Sequence, residues 1–260
     1  MTTTRVHWPA ALVVEALALA AAGASDSSVA AATGMPAATV RTYRRRPPRR
    51  VVRLLDGKPA CSLCGGDEHD FGALEPATYA YLLGVYLGDG CLGQTARCYQ
   101  LRIALDAAYP GIIEEVTAAV EAIRGRPPGQ VGPRGHCACI DVVSGWKQWA
   151  CYFPQHGPGR KHERPIELMD WQRVLVDQAP ESFLRGLIHS DGCRTINRFK
   201  TRLPSGRIAT YEYPRYFFSN LSPDILGLFA DACDALGLRW TCSNHRNLSV
   251  SHRASVARME

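Results

Sequence analysis

A chain of 260 residues that is 46% hydrophobic and 8% aromatic holds enough apolar material for one small and one medium domain, which excludes disorder throughout. Its formal charge of +6 is unevenly placed: residues 1–60 carry nine Lys and Arg against three acids, while residues 61–260 carry 21 of each. The excess therefore sits in an N-terminal arm suited to a polyanion, with nucleic acid the commonest partner and an anionic membrane surface the alternative.

Residues 8–22 are rich in Ala and Leu with a single charge, Glu15, and read as a helix buried on most of its face. The apolar run at residues 10–23 behind Arg5 looks like the core of an export signal, but Glu15 interrupts it and it is too short to span a bilayer, so no membrane partner is expected. Gly23 stops the helix. Ser25-Asp26-Ser27 then offers an N-cap for a short helix through Val29 and Ala32, and Thr33-Gly34-Met35-Pro36 turns the chain into a third helix over residues 37–44. Short helix, glycine turn and second helix form the helix-turn-helix pattern, with Ala30 and Ala31 letting the helices approach and Val40 docking the second one. Seven arginines lie between Arg41 and Arg53. From helix position, Thr39, Arg41 and Thr42 are assigned base contacts and Arg44, Arg45 and Arg46 phosphate contacts, roles that neighbours could exchange. Residues 1–50 are thus read as a small all-α DNA-binding domain, and residues 51–74 as a linker.

Within that linker, Cys61-Ser-Leu-Cys64-Gly-Gly has the spacing of half a zinc knuckle, with Cys61 and Cys64 as candidate Zn²⁺ ligands and His69 as a third. Two reduced cysteines in an interdomain turn is the competing reading, and Cys137-Ala-Cys139 lies far off in sequence. The ten cysteines are too scattered for a disulfide scaffold, so a reducing, cytoplasmic location is the simpler expectation.

The rest of the chain repeats itself. Leu82-Leu-Gly-Val-Tyr-Leu-Gly-Asp89-Gly90-Cys91 recurs 102 residues later as Leu184-Arg-Gly-Leu-Ile-His-Ser-Asp191-Gly192-Cys193. After each copy comes a strand-like stretch, at residues 99–105 or 213–218, and a proline, Pro110 or Pro223, that opens an amphipathic helix. The motif-to-proline spacing is 32 residues in the second half against 21 in the first, which predicts a longer hairpin loop near residues 198–207. Each repeat reads as a helix with small residues four apart, Gly84 and Gly88 or Gly186 and Ser190, so two such faces can meet with their backbones unusually close. Each helix ends in Asp-Gly, the glycine suiting a left-handed cap and the aspartate opposing the helix dipole. Two carboxylates brought together in this way are relieved by a divalent cation. Mg²⁺ suits carboxylate and phosphate oxygens, which gives metal-dependent hydrolysis of both strands of a DNA duplex as the hypothesis, against the plainer reading that each Asp-Gly merely makes a turn after a buried helix.

These paired segments resemble LAGLIDADG motifs in the two-motif, single-chain form of the homing endonucleases, over residues 75–260. The resemblance implies an α+β fold of two pseudo-symmetric αββαββα halves, residues 75–180 and 181–260, forming a saddle on double-stranded DNA. It implies Asp89 and Asp191 as acidic metal ligands in a monomer with internal two-fold pseudosymmetry. Leu87 and His189 stand where the family motif has its first acid, and Gly88 and Ser190 where it has alanine. Lys161 and Lys200 are candidates for the basic residues with which the family neutralises its transition state.

Residues 193–260 carry ten Lys and Arg against five acids, and residues 61–180 ten against fourteen. Trp146, Trp149 and Trp171 are read as packing residues rather than base-stacking ones. Three functions remain: a homing-type DNA endonuclease with added N-terminal DNA contacts, a transcriptional regulator that reuses the fold without cleavage, and a cysteine-based metal or redox sensor. An intein is not expected, since no N-terminal Cys or Ser and no terminal His-Asn pair is present.

Overall fold

The computed structural model describes residues 8–48, 51, 52, 55, 57, 61–132 and 138–260. Arg49, Arg50 and Arg53 of the basic run, and Cys137, lie outside the described residues. The chain divides into two compact units, Met1–His69 and Asp70–Glu260.

In the first unit, three helices, α1 (Ala10–Ala21), α2 (Asp26–Thr33) and α3 (Ala37–Arg45), enclose a small core of Val13, Ala16, Ala20, Val29, Met35, Val40 and Val51. The Ser25 hydroxyl caps α2 by accepting from the Ser28 amide at 3.1 Å, and Gly34 ends it at φ 71°, a conformation that glycine adopts without a Cβ penalty. Helix α1 buries Val13, Ala16 and Ala20 and half-buries Leu12, Val14, Leu17 and Leu19 against that core, leaving Ala11, Glu15, Ala18 and Ala21 exposed. One expectation is corrected here. On α2, Val29 and Thr33 are buried while Ala31 is exposed, so the approach of α2 to α3 does not rest on the alanine pair. Among the described residues no helix is long and apolar enough to cross a membrane.

The second unit runs twice through one sequence of elements. The first pass is α4 (Pro76–Asp89), β1 (Gly90–Gln94), β2 (Tyr99–Asp106), α5 (Pro110–Arg124), β3 (Gly129–Val131), β4 (Cys139–Trp146) and α6 (Trp149–Tyr152). After a connecting segment that contains α7 (Asp170–Gln178), the second pass is α8 (Pro180–Asp191), β5 (Gly192–Arg202), β6 (Ile208–Ser219), α9 (Pro223–Ala235), β7 (Thr241–Asn244), β8 (Asn247–Val250) and α10 (Arg253–Met259). Each pass forms a four-stranded antiparallel sheet, ordered β1-β2-β4-β3 and β5-β6-β8-β7. This is the α+β, two-half αββαββα arrangement that the repeat and the family resemblance imply.

Helices α4 and α8 pack directly on each other, and the small residues explain how. A Cβ built on Gly84 would lie 2.5 Å from the Phe183 carbonyl oxygen and 2.8 Å from the Leu187 nitrogen, and one on Gly186 would strike the Tyr81 carbonyl and lie 3.0 Å from the Val85 nitrogen. The contact is backbone against backbone, so even a methyl group would force the helices apart. The residues on either side of the glycines carry the core: Leu82, Leu83, Val85, Leu87, Phe183 and Leu187 are all buried.

Both motif glycines depart from the expected left-handed cap. Gly90 has φ −82° and ψ 149°, and Gly192 has φ −104° and ψ 168°, so each is the extended first residue of a strand. Glycine is needed there for space: a Cβ on Gly90 would lie 2.6 Å from the Tyr86 Cα, and one on Gly192 2.6 Å from the Ile188 Cα. The additional residues of the second half also do not make a longer loop. They lengthen β5 and β6 into a hairpin paired from Gly192↔Phe218 to Arg202↔Ile208, closed by a turn with Gly206 at φ 81°.

Trp149 is fully buried with Trp146 edge-on at 5.2 Å, and Trp171 stacks on Phe71 at 3.8 Å, which accounts for all three tryptophans as packing. The segment joining the halves is tied down by a buried amide network. Gln172 Nε2 donates to Tyr79 Oη at 2.7 Å, Tyr79 Oη donates to the Tyr152 carbonyl at 2.7 Å, and Gln155 Nε2 donates to Gln172 Oε1 at 2.6 Å and to the Glu167 carbonyl at 2.7 Å. Each buried amide is thereby satisfied, and the loop at residues 156–164 hangs from a fixed support.

Candidate functional site

Asp89 and Asp191 terminate the paired helices α4 and α8, so the repeated motif delivers both carboxylates to the same end of the helix pair. A Cβ on Gly88 would strike the Ser190 side chain, 2.5 Å from its Cβ, and lie 3.1 Å from Asp191 Oδ2, so the missing side chain lets Ser190 and the second carboxylate pack against the first helix.

The third member is Lys161, carried by the loop between the halves. Its ammonium donates to the carbonyl oxygens of Leu87 and Gly88, both at 2.9 Å, and to that of Tyr86, and it lies 5.0 Å from the Tyr86 ring centroid. These are last-turn carbonyls of α4, where a cation complements the helix dipole and where the Asp89 carboxylate is otherwise disfavoured. Arg164 holds the loop in shape by donating to the Gly159 carbonyl at 2.9 Å and the Gln155 carbonyl at 3.1 Å.

The charges at this centre perturb one another. Burial, and then the neighbouring Asp191, push the Asp89 carboxyl up to about 6 against the pull of Lys161. Burial also raises Asp191, while its hydrogen bond from Asn220 and the Lys161 charge draw it back. Lys161 is pushed down to about 8 because desolvation outweighs the support of the two aspartates. Two like charges and one cation, each half-buried, are the arrangement in which perturbed titration accompanies function.

Asn220 was not singled out in the sequence. Its Nδ2 donates to Asp191 Oδ2 at 2.6 Å while its Oδ1 accepts from the Ser222 amide at 2.7 Å, so the backbone bond sets the amide's orientation. Its place three residues before Pro223 was the available signal, since that proline aligns the two repeats.

Two clefts flank the helix pair. One, of about 630 Å³, is lined by Gly88, Asp191, Asn220, Lys161, Arg160 and Arg246 among others. The other, of about 480 Å³, is lined by Asp89, Asp106, His189, Ser190 and Arg194. His189, at the position of the motif's first acid, pairs through Nδ1 with the Tyr81 hydroxyl at 3.0 Å and with Glu115 at 3.6 Å, and burial lowers its pKa.

Lys200 is not brought to this centre. It is exposed on β5, eight residues beyond Gly192, which is roughly 26 Å along an extended strand.

On the first unit, Arg41, Thr42, Arg44, Arg45 and Arg46 are exposed and Thr39 is half-buried, all on or at the end of α3. Arg41 and Arg44 are not simply solvated: they pair with Asp26 on α2 at 3.1 and 2.8 Å and hold its carboxyl below its ordinary value. Thr42 returns its hydroxyl to the Ala38 carbonyl at 2.8 Å. Also in this unit, ligand atoms of Cys61, Cys64 and His69 lie within 4.8 Å of one another.

No family model matches the chain, and no curated protein matches it. Among solved structures it is similar to the LAGLIDADG meganuclease I-AabMI bound to uncleaved DNA, at 11% identity and a TM-score of 0.46 over 72% of this chain and 82% of that one. It is similar to mesophilic variants of the homing endonuclease I-DmoI, at 16% identity and 0.45 over 70% and 86%. A third similarity is to full-length DUF199/WhiA from Thermatoga maritima, at 13% identity and 0.42 over 72% of this chain and 56% of that one. Similarity at this level carries no residue's role across, so the roles below rest on this chain's own geometry.

Proposed function

We propose that this protein is a sequence-specific DNA endonuclease that hydrolyses phosphodiester bonds with a divalent metal, and that Asp89, Asp191 and Lys161 form its reactive centre. The observation that supports it is the convergence of two half-buried carboxylates and one half-buried ammonium at the end of a helix pair, with a cleft on each side.

The donor set suits a hard cation: two carboxylates drawn partly out of water, with the charge of Asp191 opposing ionisation of Asp89. Asp89 and Asp191 would hold Mg²⁺ there. When bound, the ion supplies positive charge to the phosphoryl and leaving oxygens. The residues do the rest. Lys161 remains protonated at pH 7, given its pKa of about 8, and keeps positive charge beside the phosphate that enters the larger cleft. Asn220 locks one oxygen of Asp191 so that the other keeps a fixed direction. Arg160 and Arg246, on the walls of the same cleft, are placed to hold the phosphate backbone.

The three-helix unit adds DNA contacts in this reading. Thr39, Arg41 and Thr42 meet bases while Arg44, Arg45 and Arg46 meet phosphates, with Arg41 exchanging Asp26 for a base and Arg44 exchanging it for a phosphate.

The test incubates purified protein with Mg²⁺ and DNA spanning its own locus plus a randomised target library, comparing wild type with Asp89→Asn and Asp191→Asn. Metal-dependent cutting that either substitution abolishes is the expected result. Equal binding by all three proteins with no cutting by any would replace this reading with a DNA-binding regulator that does not cleave.

A further inference from the structure

The endonuclease reading leaves one sequence motif without a purpose, the Cys-x-x-Cys-Gly-Gly that closes the first unit. We propose that Cys61, Cys64 and His69 bind a structural Zn²⁺ ion.

Three observations within that unit support the site. The first is the turn: the Cys61 amide donates to the Gly66 carbonyl at 3.0 Å and the Gly65 amide donates to the Cys61 carbonyl at 2.9 Å, with Gly65 at φ 62°. A residue with a Cβ adopts that φ only at a cost, so the first glycine of the motif is there for the turn. The second is the amide of Gly66, which points at Cys64 Sγ from 3.3 Å. Backbone amides aimed at sulfur stabilise a thiolate, the form in which cysteine binds metal. The third is spacing. Cys64 Sγ and His69 Nε2 are 3.4 Å apart. Zinc bonds of about 2.3 Å to sulfur and about 2.0 Å to nitrogen at the tetrahedral angle put those two atoms about 3.5 Å apart. All three ligand atoms lie within 4.8 Å of one another, so small rotations of side chains bring them onto one ion.

The chemistry selects among metals. Two thiolates and an imidazole are soft donors that suit Zn²⁺ and are a poor match for Mg²⁺, so this site and the carboxylate centre do not compete for one ion. A further donor completes the tetrahedron. The ion's effect is structural: it holds residues 61–69 in one conformation in a stretch with few apolar side chains of its own. Binding energy of this kind counts as folding energy, because the unfolded chain has no preformed site.

The experiment uses the full chain, expressed without a polyhistidine tag and purified under reducing conditions without chelator, and measures metal by elemental analysis. One zinc per chain is expected, released on titrating the thiols with a mercurial. Replacement by Co²⁺ should give the intense visible bands of a tetrahedral ion and sulfur-to-metal charge transfer in the near ultraviolet, and X-ray absorption should resolve the number of sulfur ligands. The double substitution Cys61→Ser, Cys64→Ser and the single His69→Ala should lower zinc to background, while Cys242→Ser, at an exposed position on β7, should leave it unchanged. Wild-type protein that carries no zinc and shows no cobalt spectrum after reconstitution under reducing conditions would overturn the proposal, whether or not the variants fold. So would zinc that persists at one per chain in the double variant, or a disulfide between Cys61 and Cys64 found by mass spectrometry in protein kept reduced. None of these results depends on DNA cleavage, so the zinc site and the endonuclease reading stand or fall separately.

Discussion

In the second half of the second unit the residue three places before the helix-opening proline is Asn220, whose amide reaches Asp191 at 2.6 Å; in the first half the residue three places before Pro110 is Ala107, which has no hydrogen-bonding group to offer Asp89. The contrast extends to the clefts. Asp191 shares its cleft with Lys161, Arg160, Arg164 and Arg246. Asp89 shares its cleft with a second acid, Asp106, and with Arg194, which is paired with Glu260 at 2.5 Å. The repeated helices place two carboxylates almost alike, while the residues around them have diverged. Symmetry of the backbone therefore does not carry over into symmetry of charge, and the DNA strand served by the Asp191 cleft is expected to be cut first.

The substitutions that bear hardest on this contrast are at the carboxylates. Asp191→Asn and Asp89→Asn are each expected to lower the cleavage rate roughly 10³-fold or more, measured on supercoiled plasmid carrying the target, because each removes a charge that would hold the proposed metal. Wild type should pass through a nicked intermediate. Direct conversion to linear product would show that the two clefts act alike.

Lys161→Met comes next, with a loss of about 10²-fold. It should also move the pH profile upward, because Lys161 lowers both aspartates, and without it they ionise only at higher pH. An unchanged midpoint of the pH profile in this variant would remove Lys161 from the centre.

Gly186→Ala tests the shared element rather than the difference. With backbone atoms of α4 closer than any real Cβ contact, it is expected to cost about 1–3 kcal/mol of folding stability, read from urea denaturation. Unchanged stability would mean that the helices are not in backbone contact.

The smallest effect is expected from Asn220→Ala, which gives the second half the residue of the first. A loss of about 10-fold confined to the faster strand would sharpen the comparison. Equal slowing of both strands would break it.

The pH dependence of stability follows from the same charges. Folded Asp89 gives up its proton at about 6 rather than 3.8, so the folded chain holds more protons than the unfolded one between those values, and stability contributed by this group falls as pH rises through that window. Lys161, lowered from 10.5 to about 8, acts the other way: the folded chain holds fewer protons there, and stability rises with pH between 8 and 10.5. Added divalent metal should offset the first loss. Thermal unfolding across pH with and without Mg²⁺ checks both signs, and a metal effect that does not grow between pH 5 and 7 would separate Mg²⁺ from Asp89.

Much of this was legible in one dimension because it depends on local spacing. Small residues four apart lie on one helix face whatever surrounds them, so Gly84, Gly88, Gly186 and Ser190 announced a close helix pair, and the ends of that pair announced Asp89 and Asp191. The Ser25 cap and the Gly34 turn were likewise set by neighbouring residues. Tertiary structure decided what depended on distant parts of the chain. Gly90 and Gly192 proved to be glycine for lack of room above the preceding helical turn, which no torsional preference reveals. Lys161 and Lys200 look equivalent as isolated lysines; the amide network around Gln155 and Gln172 carries one of them to the end of α4, and the length of β5 carries the other away. Asn220 and the Asp26 pairing of Arg41 and Arg44 join residues 29, 15 and 18 places apart, and such contacts exist only once helices and sheets have packed.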